Sequence, residues 1–187
     1  MRHCIRLVTL LVIAIAFTAC HSRKKKEKDT PEVVFNSPPS KPSSSLASKY
    51  ADILEVSKGD IKNGRLYAFI DDWMGTPYRF GGMDKSGTDC SGFVYQLHQQ
   101  VYGITLPRTT GEQVNVIKRK FEEDLHEGDL VFWDYDGKKF SHVGVYLQNG
   151  YVVHASTRKG VMIVKLHDPA MYKYFSRCGS VLASATN

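Results

Sequence analysis

Apolar positions recur along this chain with two different periods. Leu46, Tyr50, Ile53 and Leu54 fall at helical spacing, as do Leu66, Phe69, Ile70 and Trp73. The second run predicts a helix that stops before Gly75-Thr76-Pro77, because the residue preceding a proline avoids helical geometry. Gly81-Gly82 and Gly87 predict a loop. Phe93, Val94, Leu97 and Val101 then mark a third helix that ends at Gly103. Thr88 or Asp89 is the natural N-cap of that helix, which puts Cys90 in its first turn. A short helix after Pro107 is expected to hold Val114 and Ile117. Beyond Glu127-Gly128 the pattern shortens to strands: Leu130–Trp133, His142–Leu147, Tyr151–Ser156 and Val161–Leu166, with a last one near Cys178–Leu182. Helices first and an antiparallel meander second describe an α+β domain.

The first part of the chain does not share this pattern. Arg2 and Arg6 precede an apolar run from Leu7 to Phe17, and Thr18-Ala19-Cys20 follows. A short basic segment, an apolar core of about 7–15 residues and small residues at its end read as a secretory leader over residues 1–19. Phe17-Thr18-Ala19-Cys20 also resembles a bacterial lipobox, in which the cysteine becomes the lipidated first residue of the mature protein. Acyl chains on Cys20 would anchor the protein to a lipid bilayer at about 0.8 kcal/mol for each buried methylene. Residues 20–46 then read as a tether, basic at Arg23-Lys24-Lys25-Lys26 and rich in proline and serine over residues 37–45. The domain is expected over residues 47–187.

Charge changes the picture once it is located. The 187 residues carry a formal net charge of +6, yet residues 50–187 hold 16 basic and 16 acidic side chains. The excess belongs to the leader and tether, so a basic footprint for nucleic acid is missing from the domain and nucleic-acid binding is not expected. No apolar stretch reaches the roughly 20 residues that span a bilayer.

Four cysteines reduce to two in the domain, since Cys4 leaves with the leader and Cys20 has the lipid to carry. An oxidising compartment would permit a disulfide between Cys90 and Cys178. Cys178 reads instead as a small buried core residue. Cys90 sits where a helix N-terminus lowers a thiol's pKa, behind a glycine-rich loop. A histidine beside it would complete an ion pair and later protonate a leaving amine. His142 opens a strand and His154 ends the next, whereas His98, His126 and His167 show no obvious partner.

Thr88-Asp89-Cys90-Ser91-Gly92-Phe93-Val94 resembles the nucleophile motif of the NlpC family, papain-like cysteine peptidases that hydrolyse bacterial cell-wall peptides. Gly75–Gly82, Leu106–Thr110, Gly128–Phe132, His142–Tyr146 and Val153–Ser156 resemble the family's other segments and follow in its order. The likeness covers about residues 64–183. It implies a papain-like α+β domain with N-terminal helices packed on an antiparallel sheet and the nucleophile at a helix N-terminus. It implies Cys90 as nucleophile, His142 as base and acid, and His154 as the polar residue that orients His142. Tyr78, Asp89 and Ser91 match positions that line the substrate cleft, although packing, capping and a first helical turn account for them equally well. Arg108 reads as structural. The activity implied is hydrolysis of an amide bond in the stem peptide or cross-link of peptidoglycan, with no metal or organic cofactor. No accessory wall-binding domain of the kind some family members carry is expected before Leu46. A monomer is expected, tethered to a membrane of the bacterial envelope, preferably the outer membrane, with its domain in the periplasm. Three alternatives stay open: an envelope lipoprotein that binds wall peptides without cleaving them, a zinc-dependent amidase with Cys90, His142 and His154 as ligands, and acyl transfer to an amine.

That assignment makes a geometric demand. Side chains alternate along a strand, so His154 must share a face with His142, Gly144 and Tyr146. A two-residue loop at Asn149-Gly150 would pair Val145 with His154 and put the histidines on opposite faces. A three-residue loop, or an equivalent bulge, sets Gly144 opposite His154 instead, with Gly150 at positive φ.

Overall fold

The computed structural model describes residues 40–182. The leader, Cys20 and the tether up to residue 39 lie outside the described residues, as do residues 183–187. Contacts divide the chain into Met1–Glu32 and Val33–Asn187, and the described residues all belong to the second unit. No helix among them is long and apolar enough to cross a membrane.

Helix α1 (Ser44–Leu54) is capped by Ser43, whose Oγ accepts from Leu46 N–H at 3.2 Å, and it buries Ala47, Tyr50, Ala51 and Leu54 on one stripe. Packing thus begins ahead of residue 47, and Gly64 N–H donates to Ser40 O at 2.8 Å. Helix α2 (Gly64–Trp73) starts under an Asn63 cap and stops before Gly75-Thr76-Pro77, as its spacing predicts. The glycine-rich loop that follows contains a small hairpin, β1 (Met83–Asp84) and β2 (Gly87–Thr88), which has no apolar alternation to announce it. Helix α3 (Cys90–Leu97) is buried along most of its length and runs into a π-helical turn, His98–Tyr102, closed by Gly103 at φ 70°.

After α4 (Thr110–Gln113) and a 3₁₀ turn, Ile117 is not helical. It opens β3 (Ile117–Arg119), a strand too short for any periodicity to reveal. β4 (Leu130–Trp133), β5 (His142–Tyr146), β6 (Tyr151–Ser156) and β7 (Gly160–Lys165) form the expected meander. Following the short α5 (Pro169–Tyr172), β8 (Phe175–Val181) returns to lie between β3 and β4, giving the antiparallel order β3-β8-β4-β5-β6-β7.

Strand alternation divides the sheet between two apolar layers. Leu130, Phe132, Val143, Val145, Val153 and Ala155 pack with α1, α2 and α3 in the main core. Val131, Trp133, Val152, Leu166 and Cys178 form a second cluster on the other face. Cys90 and Cys178 belong to different layers, and both are free thiols. Cys178 Sγ donates weakly to Lys120 O at 3.4 Å.

Candidate active site

Cys90 is the first residue of α3, and a polar clasp holds the turn beneath it. Asp89 caps the helix, accepting from Gly92 N–H at 2.7 Å through Oδ1 and from Gly81 N–H at 2.8 Å through Oδ2. Arg108 grips both oxygens of the same carboxylate, at 3.0 and 2.8 Å, and also donates to Ser91 Oγ at 2.9 Å and to Gly82 O at 3.2 Å. Ser91 Oγ donates to Asp89 Oδ1 at 3.2 Å. Buried Gln113 donates to Ser91 O and Pro107 O. Although burial alone would raise the Asp89 pKa, Arg108 and the two backbone amides hold it below the usual carboxylate range.

The side chains of Asp89 and Ser91 are thereby engaged in holding the helix start, which is the capping alternative to a place in the cleft. Arg108 is engaged in the same clasp, which fits a structural reading. The glycine-rich loop has a packing reason too: a Cβ on Gly92 would stand 2.3 Å from Gly82 O. Tyr78 is half-buried, and its backbone bridges to Thr88. Burial, then Cys90 and Asp89, raises the pKa of its phenol.

The histidines arrive on β5 and β6. Gly144 pairs with His154, Val145 with Val153 and Tyr146 with Val152, the register that puts both imidazoles on one face. The device is the equivalent bulge rather than a three-residue loop. Asn149 and Gly150 both have positive φ, 52° and 74°, the mark of a type I′ turn. Tyr151 N–H donates to Gln148 O at 3.0 Å, but Leu147 N–H, not Gln148 N–H, donates to Tyr151 O at 2.8 Å. One residue is therefore bulged out beside the turn, which shifts the pairing by one. Gly144 leaves the room this register needs, since a Cβ there would lie 3.1 Å from His154 Cβ.

His142 Nε2 and His154 Nδ1 are 2.8 Å apart, with the rings nearly perpendicular at 88°. For His142 to act as a base its Nδ1 must be bare. The shared proton then sits on His142 Nε2, and His154 accepts it through Nδ1. Trp133, the partner of His142 across β4 and β5, lies 5.7 Å from the His142 ring and 6.3 Å from that of His154, while Tyr135 stands edge-on to His142 at 5.5 Å. Trp133 Nε1 and His154 Nε2 are buried without a protein partner. Sequence reading missed Trp133 and Tyr135, because register across the long connection from β4 to β5 follows from no turn motif.

The thiol joins the two halves. The backbone N–H of Val143, next to His142, is aimed at Cys90 and favours the thiolate, as do the N–H groups of Ser91 and of Cys90 itself. Burial outweighs them and the nearby Asp89 carboxylate adds to it, so the Cys90 pKa is pushed up to about 11 rather than down as the helix position suggested. Burial lowers His142 to about 3, with help from His154, and lowers His154 to about 4. The resting site therefore holds a neutral thiol and two neutral imidazoles. Among the described residues no three His, Cys, Asp or Glu side chains converge as a metal-ligand set.

Comparison with known proteins gives this arrangement its relatives. The model of the NlpC/P60 family matches residues 75–180. The murein DD-endopeptidase MepS/murein LD-carboxypeptidase of Escherichia coli K12 is 34% identical over 183 residues, 98% of this chain and 95% of that protein. Among solved structures, an NlpC/P60 family protein from Bacillus cereus superposes with a TM-score of 0.58 at 29% identity, over 63% of this chain and 39% of that one. The NlpC/p60 domain of the peptidoglycan hydrolase SagA superposes with a TM-score of 0.54 at 29% identity, over 63% of this chain and 97% of that one.

Proposed function

The chain belongs to the NlpC/P60 family, and from that premise we propose that it is a cysteine-type peptidoglycan endopeptidase with Cys90 as nucleophile, His142 as base and acid, and His154 as the group that orients His142. The observation that supports the reading is the 2.8 Å contact of His142 Nε2 with His154 Nδ1. It leaves His142 Nδ1 open, on a strand whose next residue, Val143, has a backbone N–H that lowers the pKa of the helix-start thiol of Cys90.

Substrate entry displaces water and brings a carbonyl carbon to Sγ. The thiol proton passes to His142 Nδ1 and the thiolate attacks. The tetrahedral oxyanion is held by backbone N–H at the start of α3, where the helix dipole is positive. His142 returns its proton to the departing amine, leaving a thioester on Cys90. Water activated by His142 then hydrolyses the thioester and restores the thiol. Tyr78 lines the cleft, and Asp89 and Ser91 act by keeping the helix start in place.

The name of the Escherichia coli relative, a murein DD-endopeptidase, favours the cross-link between D-alanine and a diamino acid as the scissile bond. A zinc-amidase reading would need Cys90, His142 and His154 to aim at one point, whereas the two imidazoles aim nitrogens at each other. Residues 1–19 act as a leader, Cys20 carries lipid, and residues 20–46 tether the domain to an envelope membrane, preferably the outer one, on its periplasmic side. Mass spectrometry of muropeptides digested with the purified chain tests the activity: cross-linked dimers converted to monomers support it, and untouched dimers refute it. Lipid labelling of cells tests the anchor, since Cys20→Ser should lose the label and an equally labelled variant would overturn it.

A further inference from the structure

His98 closes α3 and opens the π-helical turn behind it. The sequence suggested no partner for it, yet the ring has two and is only 1% exposed. Nδ1 lies 3.1 Å from Val94 O and Nε2 lies 3.0 Å from Gly128 O. Both partners are backbone carbonyls, which accept and never donate. Each ring nitrogen is therefore required to donate, and a neutral imidazole owns one N–H. In the neutral ring the second nitrogen would set its lone pair against a buried carbonyl oxygen, leaving both unsatisfied. Burial does favour the neutral ring, and it outweighs the two carbonyls and the Asp129 carboxylate, which press the other way, to bring the pKa down to about 4. What calls for the charge is the pair of acceptors alone.

The rest of the surroundings suit a cation. The Tyr102 ring lies 5.3 Å away, within cation–π range. Of the charged groups on the packed elements, Asp129 also accepts from Lys120 Nζ at 2.7 Å, Glu127 acts with Asp129 on the Tyr102 phenol, and Arg65 of α2 donates to Val101 O at 3.2 Å.

We propose that His98 is a positioning residue held as the imidazolium, a two-donor strap tying the end of the nucleophile helix to the start of β4. The strap continues toward the base. Gly128 N–H donates to Tyr146 O and Tyr146 N–H to Asp129 O, which fixes the pairing that ends at Trp133 and His142. Helix α3 is thus joined to the strands by His98 on Gly128 O, while at its start the Val143 N–H lowers the pKa of the Cys90 thiol. The charge of His98 rests on geometry alone; its catalytic consequence rests on the peptidase reading. A histidine charged in the fold adds stability that is fully present below about pH 6.5 and is lost as pH rises through its folded value.

Two measurements on the purified full-length chain test this. Nitrogen-15 NMR of the ring of His98 should show a proton on both nitrogens near neutral pH. A single N–H there overturns the proposal, whether or not the protein hydrolyses anything and whether or not a variant folds. His98→Leu, in a protein that still folds, should lower kcat about tenfold at unchanged KM, the sign of misplaced reacting groups. It should also lose the decline of stability toward alkaline pH. Unchanged kcat in folded His98→Leu overturns the positioning role, even with the double protonation in place.

Discussion

The turn under Cys90 and the hairpin under the two histidines reach the same precision by opposite means. The turn is polar: one carboxylate collects two backbone amides, a hydroxyl and a guanidinium, and Arg108 gathers four acceptor atoms. Around the hairpin, rings face rings, register does the positioning, and two buried nitrogens have no partner at all. The difference follows from what each group must do. A nucleophile needs its backbone fixed while its side chain stays free to react, so the hydrogen bonds go to its neighbours. Under the proposed roles a base needs one nitrogen held and the other bare, and the contact of His142 Nε2 with His154 Nδ1 in a dry setting fits that need. Polar clasps can be weakened by pieces, whereas register shifts whole.

Removing the reacting atom should have the largest effect. Cys90→Ser is expected to lower kcat by on the order of 10³-fold or more, as loss of a nucleophile does, with the unfolding curve unchanged. Cys178→Ser, in the other layer, should keep full turnover in the same assay. On the hairpin side, His142→Ala is expected to lose about 10²- to 10⁴-fold in kcat as a lost general base. His154→Ala should lose less, about 10- to 100-fold, because the base remains and only its orientation suffers. The reverse order in steady-state kinetics would break the assignment of the pair.

The dry hairpin also makes an acid-side prediction. His142 and His154 are held neutral well below the unfolded value of about 6.5, so the unfolded chain takes up protons that the folded one refuses. Stability should fall as pH drops from about 6.5 toward 4, and denaturant melts should show a smaller fall in His154→Leu than in the parent. On the polar side, Arg108→Met should cost about 1–3 kcal/mol in the same melts, below the range for a fully buried pair because Arg108 keeps a third of its side chain in water. A smaller effect than that of Arg108→Met should come from Gly150→Val, about 1–2 kcal/mol for a β-branched residue at φ 74°, with a modest loss of turnover if the bulge gives way.

Much of the polar half was legible in the chain, because capping is a local rule. Asp89, three residues before Gly92, announces its helix without tertiary knowledge. The hairpin was legible through the demand that two histidines share a face, although the chain met it with a bulge beside a type I′ turn. What stayed hidden depends on long-range pairing. β3 is three residues long and exists because β8 lies beside it. Trp133 meets His142 only through the β4–β5 register. Phe140 takes positive φ with no glycine beside it to signal it, in a connection clasped by Asp134 Oδ1 on Phe140 N–H at 2.6 Å. The thiol's pKa was misjudged for a related reason: a helix start can be read from sequence, but the burial that outweighs it cannot.

Alkylation of the purified chain tests the cysteine mechanism most directly. The protein would be treated with limiting iodoacetamide, mapped by peptide mass spectrometry, and assayed on cross-linked muropeptides. Loss of hydrolysis should track the fraction of Cys90 carrying the label, and occupancy at Cys178 should have no bearing on it. Full hydrolysis by protein whose Cys90 is completely alkylated would contradict the account.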